Sequence, residues 1–230
     1  MIPKHIAIIL DGNGRWAKNK GFGSIEGHRK GAEVIEDITE YARDVGVSHI
    51  TFYAFSTENW KRIPSWVSDY FKLLAFFLKS KKNKLIKENV KVTFIGHRSP
   101  LHPDIQKLMI DVEDATFNCT GIHVLMAINY GARDEIVRAT RAITHKVQDG
   151  ILAPSDITET LFNDHLYTKG APAVDLLIRT SGEKRLSNFL LWQLAYSELV
   201  FMDVLWPDFT RSDFDHALTE FENRKRTFGC

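Results

Sequence analysis

The sequence predicts an α/β fold, a central six-stranded and mostly parallel sheet flanked by helices, with residues 1–230 as a single domain. Three observations carry this. Short apolar runs rich in β-branched residues alternate with longer stretches of helical periodicity along the whole chain. Strands separated by helices favour parallel neighbours joined by right-handed crossovers. No internal repeat or low-complexity linker divides the 230 residues, and an apolar content of 44% is enough for a sizeable core.

The elements follow in order. Ile6–Leu10 is apolar, long enough for a buried strand and too short for most helices. It stops at Asp11, and Gly12-Asn13-Gly14 reads as a tight turn. Val34, Ile35, Ile38, Tyr41, Ala42 and Val45 recur at helical spacing, and Gly46 ends that helix. His49–Phe55 is the second strand. A long helix is expected from Trp66 to Glu88, after Ile63-Pro64-Ser65. Its first half, through Tyr70, Phe71, Leu74, Phe77 and Leu78, is apolar nearly all round, which means burial on more than one side and places a cavity beside it. Its second half is basic. Further strands are expected at Lys91–Gly96, Ile122–Asn129, Val174–Arg179 and Leu199–Leu205. Further helices are expected at Asp104–Phe117, Arg133–Val147, Thr158–Leu166, Leu190–Tyr196 and Phe209–Arg226.

Composition narrows the function. A net charge of +1 provides no global field toward nucleic acid or membrane. No apolar stretch approaches the ~20 residues of a membrane span, and the opening residues do not form a signal peptide. Two cysteines, Cys119 and Cys230, form no CxxC, which fits a reducing cytoplasm. The histidines show no zinc-ligand spacing.

Three strand ends carry polar clusters: Asp11–Arg15, Ser56–Arg62 and Arg179–Asn188. In a parallel sheet they open on one edge, where ligands bind. Together they bring Arg15, Arg62, Arg179 and Arg185 to the carboxylate of Asp11. That set suits a doubly charged anion, most simply a diphosphate with Mg²⁺. Neither GxxxxGK[ST] nor GxGxxG occurs, so no nucleotide loop explains it. A phosphoryl-transfer enzyme would use the same rim but leaves the apolar helix without a role. A non-catalytic binding subunit is expected to lack the aspartate of the first cluster, which is present here.

The same clusters resemble the cis-prenyltransferases, most closely the bacterial undecaprenyl diphosphate synthases. Asp11-Gly12-Asn13-Gly14-Arg15-Trp16-Ala17 is similar to the family's first motif and Gly27-His28-Arg29-Lys30-Gly31 to its second. Phe55-Ser56-Thr57-Glu58-Asn59-Trp60 resembles the third. Arg179-Thr180-Ser181-Gly182-Glu183, Ser187-Asn188-Phe189-Leu190-Leu191-Trp192-Gln193 and Asp203-Val204-Leu205-Trp206-Pro207-Asp208-Phe209 resemble the late motifs. The resemblance implies Mg²⁺-dependent condensation of isopentenyl diphosphate with an allylic diphosphate, usually farnesyl diphosphate, to a long cis-polyprenyl diphosphate held in a hydrophobic tunnel.

Residue by residue, it implies that Asp11 and Asn59 serve catalysis and that Asp11 and Glu198 hold the metal. Gly12, Asn13, Gly14, Arg15 and His28 would line the allylic site, Arg179, Arg185 and Ser187 the isopentenyl site, and Trp16 would contact substrate. Ser56, Asn59, Trp60 and Arg62 would lie on a closing loop, and Ser56, Thr57, Glu58, Trp60 and Arg62 would contact substrate. A homodimer, peripheral membrane contact for product release and no nucleic-acid partner are also implied. Two places depart from the pattern: Ser24 stands where the family usually has arginine, and Trp66 where it commonly has glutamate.

Overall fold

A computed structural model describes residues 2–224. Its six strands are β1 (His5–Ile9), β2 (His49–Ser56), β3 (Lys91–Ile95), β4 (His123–Tyr130), β5 (Leu176–Arg179) and β6 (Glu198–Phe201). They form one sheet in the order β3-β4-β2-β1-β5-β6, and every pairing is parallel. The helices are α1 (Asn13–Asn19), α2 (Ser24–Asp44), α3 (Pro64–Lys87), α4 (Pro103–Thr116), α5 (Ala132–Gln148), α6 (Glu159–Asn163) and α7 (Arg211–Asn223).

Alternation along the strands feeds two cores. Ile6, Ile8, Ile50 and Phe52 pack with Val34 and Ile38 of α2, Tyr70 of α3, Met109 of α4 and Phe214 of α7. Ala7, Ile9, Leu125 and Leu177 face the other way, toward Ala132 at the start of α5 and toward Phe189, Leu190 and Leu194. Both faces of the sheet are covered, which explains why its strands read as continuous apolar runs.

Four expectations are corrected. The Gly12–Gly14 turn is a single left-handed residue, Gly12 (φ 107°), after which α1 begins at once. The second helix starts at Ser24, ten residues before its apolar stripe, because its first turns carry site residues rather than core. No helix spans Leu190–Tyr196. Ser187, Asn188 and Leu190 have φ of 50°, 62° and 42°, left-handed values that an α-helix cannot hold, and the segment is a run of turns. Its leucine spacing buries Leu190 and Leu194 all the same. The sixth strand ends at Phe201, and Trp206–Asp208 form a 3₁₀ turn that leads to α7. The last residues expected in that helix, Lys225 and Arg226, lie outside the described residues.

The amino rim carries a row of histidines. His5 is in register with His49, and His49 with His123, with ring centroids 5.8 and 5.2 Å apart. Burial pushes His5 and His123 down to about 4, and His49 is lowered by burial and by Lys91; Asp175 opposes the shift at His5. The folded row is therefore neutral where the unfolded chain takes up protons, near 6.5. Protons bound preferentially by the unfolded state make stability rise with pH across that window. The melting temperature should fall as pH is lowered from about 6.5 toward 4, and His5→Gln should flatten that slope in a calorimetric pH series. An unchanged slope would mean that His5 does not contribute.

Candidate active site

The site begins where β1 ends. Gly12 turns the chain in a left-handed conformation, and a Cβ there would lie 2.9 Å from the Leu205 side chain. The carbonyl of Asp11 is held from two sides, by the Trp206 backbone N–H (3.0 Å) and the Thr180 hydroxyl (2.7 Å). Asn13 then packs onto α2 so closely that a Cβ at Gly27 would meet its carbonyl oxygen at 2.0 Å. Gly31, one turn later, makes room for its amide. The glycines that flank His28 are thus packing requirements of the α1–α2 contact. Buried Trp206 completes the mount, donating from Nε1 to the carbonyl of Gly31 (2.8 Å).

Onto this turn β5 delivers Arg179, only 3% exposed. Its Nη2 donates to Asp11 Oδ2 (2.9 Å), and its Nη1 to Ser187 Oγ (2.7 Å) and to the carbonyl of Arg185. Its Nε is buried without a partner. The second oxygen of Asp11 accepts from the Gly12 N–H (2.8 Å). Arg15 donates to Ser181 Oγ and lies 3.6 Å from Glu183, and Glu183 also pairs with Arg185. The guanidiniums of Arg15 and Arg185 are thus tethered through one carboxylate, and their side chains are 51% and 62% exposed.

The end of β2 adds the third side. Ser56 and Asn59 cap a 3₁₀ turn over Thr57–Lys61 by mutual side-chain–backbone bonds. Glu58 accepts from Asn188 Nδ2 (2.9 Å), and Asn188 Oδ1 accepts from the Arg133 N–H (2.9 Å) at the start of α5. Asn188 so joins three elements, in a left-handed backbone conformation (φ 62°); the sequence places it at the end of the Arg179–Asn188 cluster but assigns it no role. Tyr53, on the strand expected to face the long helix, lies on the cavity wall, and its hydroxyl donates to the carbonyls of Tyr130 (3.2 Å) and Ser187 (3.4 Å). His28 packs edge-on against Trp66 and Tyr70, and its Nε2 is buried without a partner. Burial and the charge of Arg62 lower it to about 4, so it is a neutral imidazole at neutral pH.

A cavity of about 880 Å³ opens at this rim and runs between α2, α3 and the sheet. Asp11, Gly12, Asn13, Gly14, Arg15 and His28 lie on its wall, as do Ser56, Glu58, Asn59, Arg62, Arg179, Arg185 and Ser187. Deeper, the wall turns apolar: Leu73, Leu74, Phe77 and Leu78 of α3 face Phe94 and Met126 of the sheet. This resolves the excess of apolar residues on α3, of which only Tyr70 and Leu73 are buried. Ala54 is on the wall as well.

Four of the expected site residues are placed elsewhere. Trp16 donates to Asp208 (2.7 Å) away from the cavity. Trp60 stacks on Phe71, donates to Asn129 Oδ1 (2.7 Å) and, with Thr57, borders a separate hollow. Glu198 opens β6 at the amino rim, level with Leu176 and Ile6, and pairs with Arg224 (3.0 Å). Asp11 follows the opposite end of β1, so one chain does not bring the two carboxylates together. Among the described residues no group of three or more His, Cys, Asp or Glu could hold a metal. Asp11 alone still fits Mg²⁺, which typically takes one or two carboxylates, substrate phosphate oxygens and waters.

The chain matches the profile of the prenyltransferase family, described as undecaprenyl diphosphate synthase, over residues 9–229. It is 48% identical to an isoprenyl transferase of Aquifex pyrophilus, over 99% of this chain and 96% of that one. It is 46% identical to a ditrans,polycis-undecaprenyl-diphosphate synthase of Micrococcus luteus described as (2E,6E)-farnesyl-diphosphate specific, over 99% and 92%. Among solved structures it is similar to a lavandulyl diphosphate synthase from Lavandula x intermedia in complex with dimethylallyl diphosphate. The TM-score is 0.96 and the identity 38%, covering 100% and 99% of the two chains.

Two experiments follow from the geometry. Asp11→Ala leaves the buried Arg179 without a partner on Nη2 and should cost about 1–3 kcal/mol of stability in denaturant unfolding, whereas Asp11→Asn keeps an acceptor and should cost less. Equal costs would show that the pair does not support the fold. Ser24 and Trp66, the two departures from the family pattern, are one contact, Trp66 Nε1 to Ser24 Oγ at 3.3 Å. Ser24→Arg and Trp66→Glu should therefore be non-additive, with a coupling of about 0.5–3 kcal/mol in a double-mutant cycle; strict additivity would mean independent changes.

Proposed function

The chain belongs to the undecaprenyl diphosphate synthase family of prenyltransferases, and we propose that it condenses isopentenyl diphosphate repeatedly with an allylic diphosphate, farnesyl diphosphate being the expected starter. The single observation that carries the reading is the continuity of an arginine-rich rim around Asp11 with an apolar cavity beneath it. A diphosphate needs the first and a growing isoprenoid the second. Each methylene buried in the cavity contributes about 0.8 kcal/mol, so the wall favours a long chain over a short one.

In this proposal the allylic diphosphate lies over Gly12–Arg15 and His28, and isopentenyl diphosphate lies toward Arg185 and Ser187. Arg15 and Arg185 exchange Glu183 for phosphate oxygens, which keeps both guanidiniums paired before and after binding. Arg179 stays with Asp11 and sets the direction of that carboxylate. Asp11 would hold Mg²⁺ with the diphosphate, and the ion would supply charge stabilisation as the leaving group departs. Neutral His28 offers an unpaired nitrogen to the ligand instead of a second charge. The isopentenyl double bond attacks the allylic carbon as its C–O bond to diphosphate breaks, and loss of a proton from the isopentenyl unit forms the new cis double bond.

A homodimer is part of the proposal. Glu198 stands on the amino rim of its own chain, so the metal role implied by resemblance would be served toward a second copy. Undecaprenyl diphosphate, the carrier lipid of cell-wall glycan synthesis, is the proposed product. The proposed setting is cytoplasmic, with the product passed to a membrane surface. No helix among the described residues is long and apolar enough to cross a membrane.

The test is incubation with radiolabelled isopentenyl diphosphate, farnesyl diphosphate and Mg²⁺, followed by chromatographic sizing of organic-phase products. Long polyprenyl products are expected, and Asp11→Asn should lower turnover by about 10²–10³-fold. Phosphate release from small phosphomonoesters without condensation would overturn the reading. Use of dimethylallyl diphosphate with no elongation would instead favour an activity like that of the lavandulyl neighbour. Ala54→Leu should shorten the products, with a melting curve recorded beside them. Full-length product from a destabilised variant would show that Ala54 only packs, where overpacking costs roughly 1–3 kcal/mol.

A further inference from the structure

Toward its far end the cavity is charged on one side only, the seam between α2 and α3. α2 and α3 leave the rim side by side and in the same direction, linked at three levels. Ser24 meets Trp66 near the mouth, Glu36 meets Lys81 and Lys84 further along, and Arg43 donates to the carbonyl of Glu88 (3.3 Å) beyond that. Glu36 lies twelve residues past Ser24 on α2, about 18 Å down the helix at 1.5 Å per residue. Between the first two levels the wall contributed by α3 is Leu73, Leu74, Phe77 and Leu78. At the second level Glu36, Lys81, Lys84 and Glu88 line the side between α2 and α3, while Leu85, Val90, Val92 and Val124 keep the opposite side apolar.

The cluster is built around one carboxylate. Glu36 Oε2 lies 2.8 Å from Lys81 Nζ, Oε1 is bonded by Lys84, and Lys84 also lies 3.5 Å from Glu88. Lys81 and Lys84 are three residues apart on one face of α3, which lets both ammonium groups reach the same acceptor. Burial works to raise the Glu36 carboxyl, but the bonds to Lys81 and Lys84 outweigh it and hold it below the usual carboxylate range. It is therefore charged at neutral pH. An ion-pair lattice on an open surface would contribute little. This one is partly exposed, with side chains 27–42% accessible, but it closes the seam between α2 and α3 along an apolar slot, and a hydrocarbon leaving through that seam must part paired charges.

Resting on the tunnel reading above, we infer that Glu36, bonded to Lys81 and Lys84, is a length-determining residue, an ionic plug that sets where the growing isoprenoid stops. Long flexible side chains make a poor steric wall; their pairing is what makes the wall hold. Removing the Glu36 charge leaves two ammonium groups facing each other, with Glu88 paired to Lys84 alone among the described residues, and they separate. The slot between α2 and α3 then opens, and the chain passes.

The experiment sizes products of the full chain made from farnesyl diphosphate and excess radiolabelled isopentenyl diphosphate with Mg²⁺. It is read as the ratio of longer to wild-type-length product, which does not depend on total turnover. Glu36→Gln and Glu36→Ala should shift the distribution by one or more isoprene units toward longer chains. The exchange Glu36→Lys with Lys81→Glu and Lys84→Glu should return it to the wild-type length. Should the triple variant not fold, Lys81→Gln with Lys84→Gln should also lengthen the product. An unchanged or shortened distribution in Glu36 variants that melt like the wild type overturns the inference while leaving the prenyltransferase reading intact. A wild type that makes no elongated product overturns both.

Discussion

The contact between Arg179 and Asp11 is the constraint on which the rest of the site depends. A guanidinium that is 3% exposed needs partners for its charge, and all of them come from the rim: Asp11 from β1, the carbonyl of Arg185 and the hydroxyl of Ser187 from the loop after β5. Breaking such a pair costs more than forming it contributes, because a buried charge is left behind. The Arg179 contact therefore works chiefly as a positional device. It fixes the direction of the one carboxylate in the turn and draws the Arg185–Ser187 loop against it. Trp206 and Thr180 secure the same residue through its carbonyl, so backbone and side chain of Asp11 are held independently.

A second constraint comes from α3. A helix whose apolar residues exceed what one neighbour can cover must either pack on two sides or face a cavity. Here most of the surplus lines empty space between α2, α3 and the sheet, and Phe76 is left exposed. Tyr70 holds the helix to the sheet through a bond from its hydroxyl to the Ala54 carbonyl (2.8 Å), and Phe55 adds aromatic contacts with Trp66, Tyr70 and Phe71. The helix is anchored near the mouth by aromatic packing and further along by ion pairs. That arrangement holds the slot apart without filling it.

Much of this was legible in the chain because apolar runs and the polar clusters that end them are local signals. All six strands lie where those runs predicted, and the three clusters meet on one rim because parallel strands put their carboxyl ends together. What was not legible depended on long-range contacts. α1 was hidden because Gly12-Asn13-Gly14 has the composition of a turn, and only the packing of Asn13 on Gly27 and Gly31 makes it a helix start. Leu190–Tyr196 has helical spacing, but the bonds that tie Asn188 to Glu58 and Arg133 require a left-handed backbone just before it. Trp60 was placed with the substrate by its neighbours in sequence, whereas its indole is taken by Asn129. The contact between Ser24 and Trp66 joins positions 42 residues apart, so two departures that read separately in the sequence are one in the structure.

The near-neutral charge of the chain conceals strong local sorting, which is the physical basis of its chemistry. A net charge of +1 ruled out a global field but said nothing about gradients along the cavity. Arginines collect at the carboxyl rim, hydrocarbon lines the middle and the sheet side beyond it, and a balanced set of lysines and glutamates stands along the far part of the α2–α3 seam. The amino rim keeps one buried and two half-buried histidines neutral. An amphiphile with a diphosphate head sits in such a gradient in one orientation, because reversing it would put the anion beside lysines already neutralised by Glu36 and Glu88 and the tail among guanidinium groups. Orientation is thus set by the order of charge along the slot before any specific contact is made.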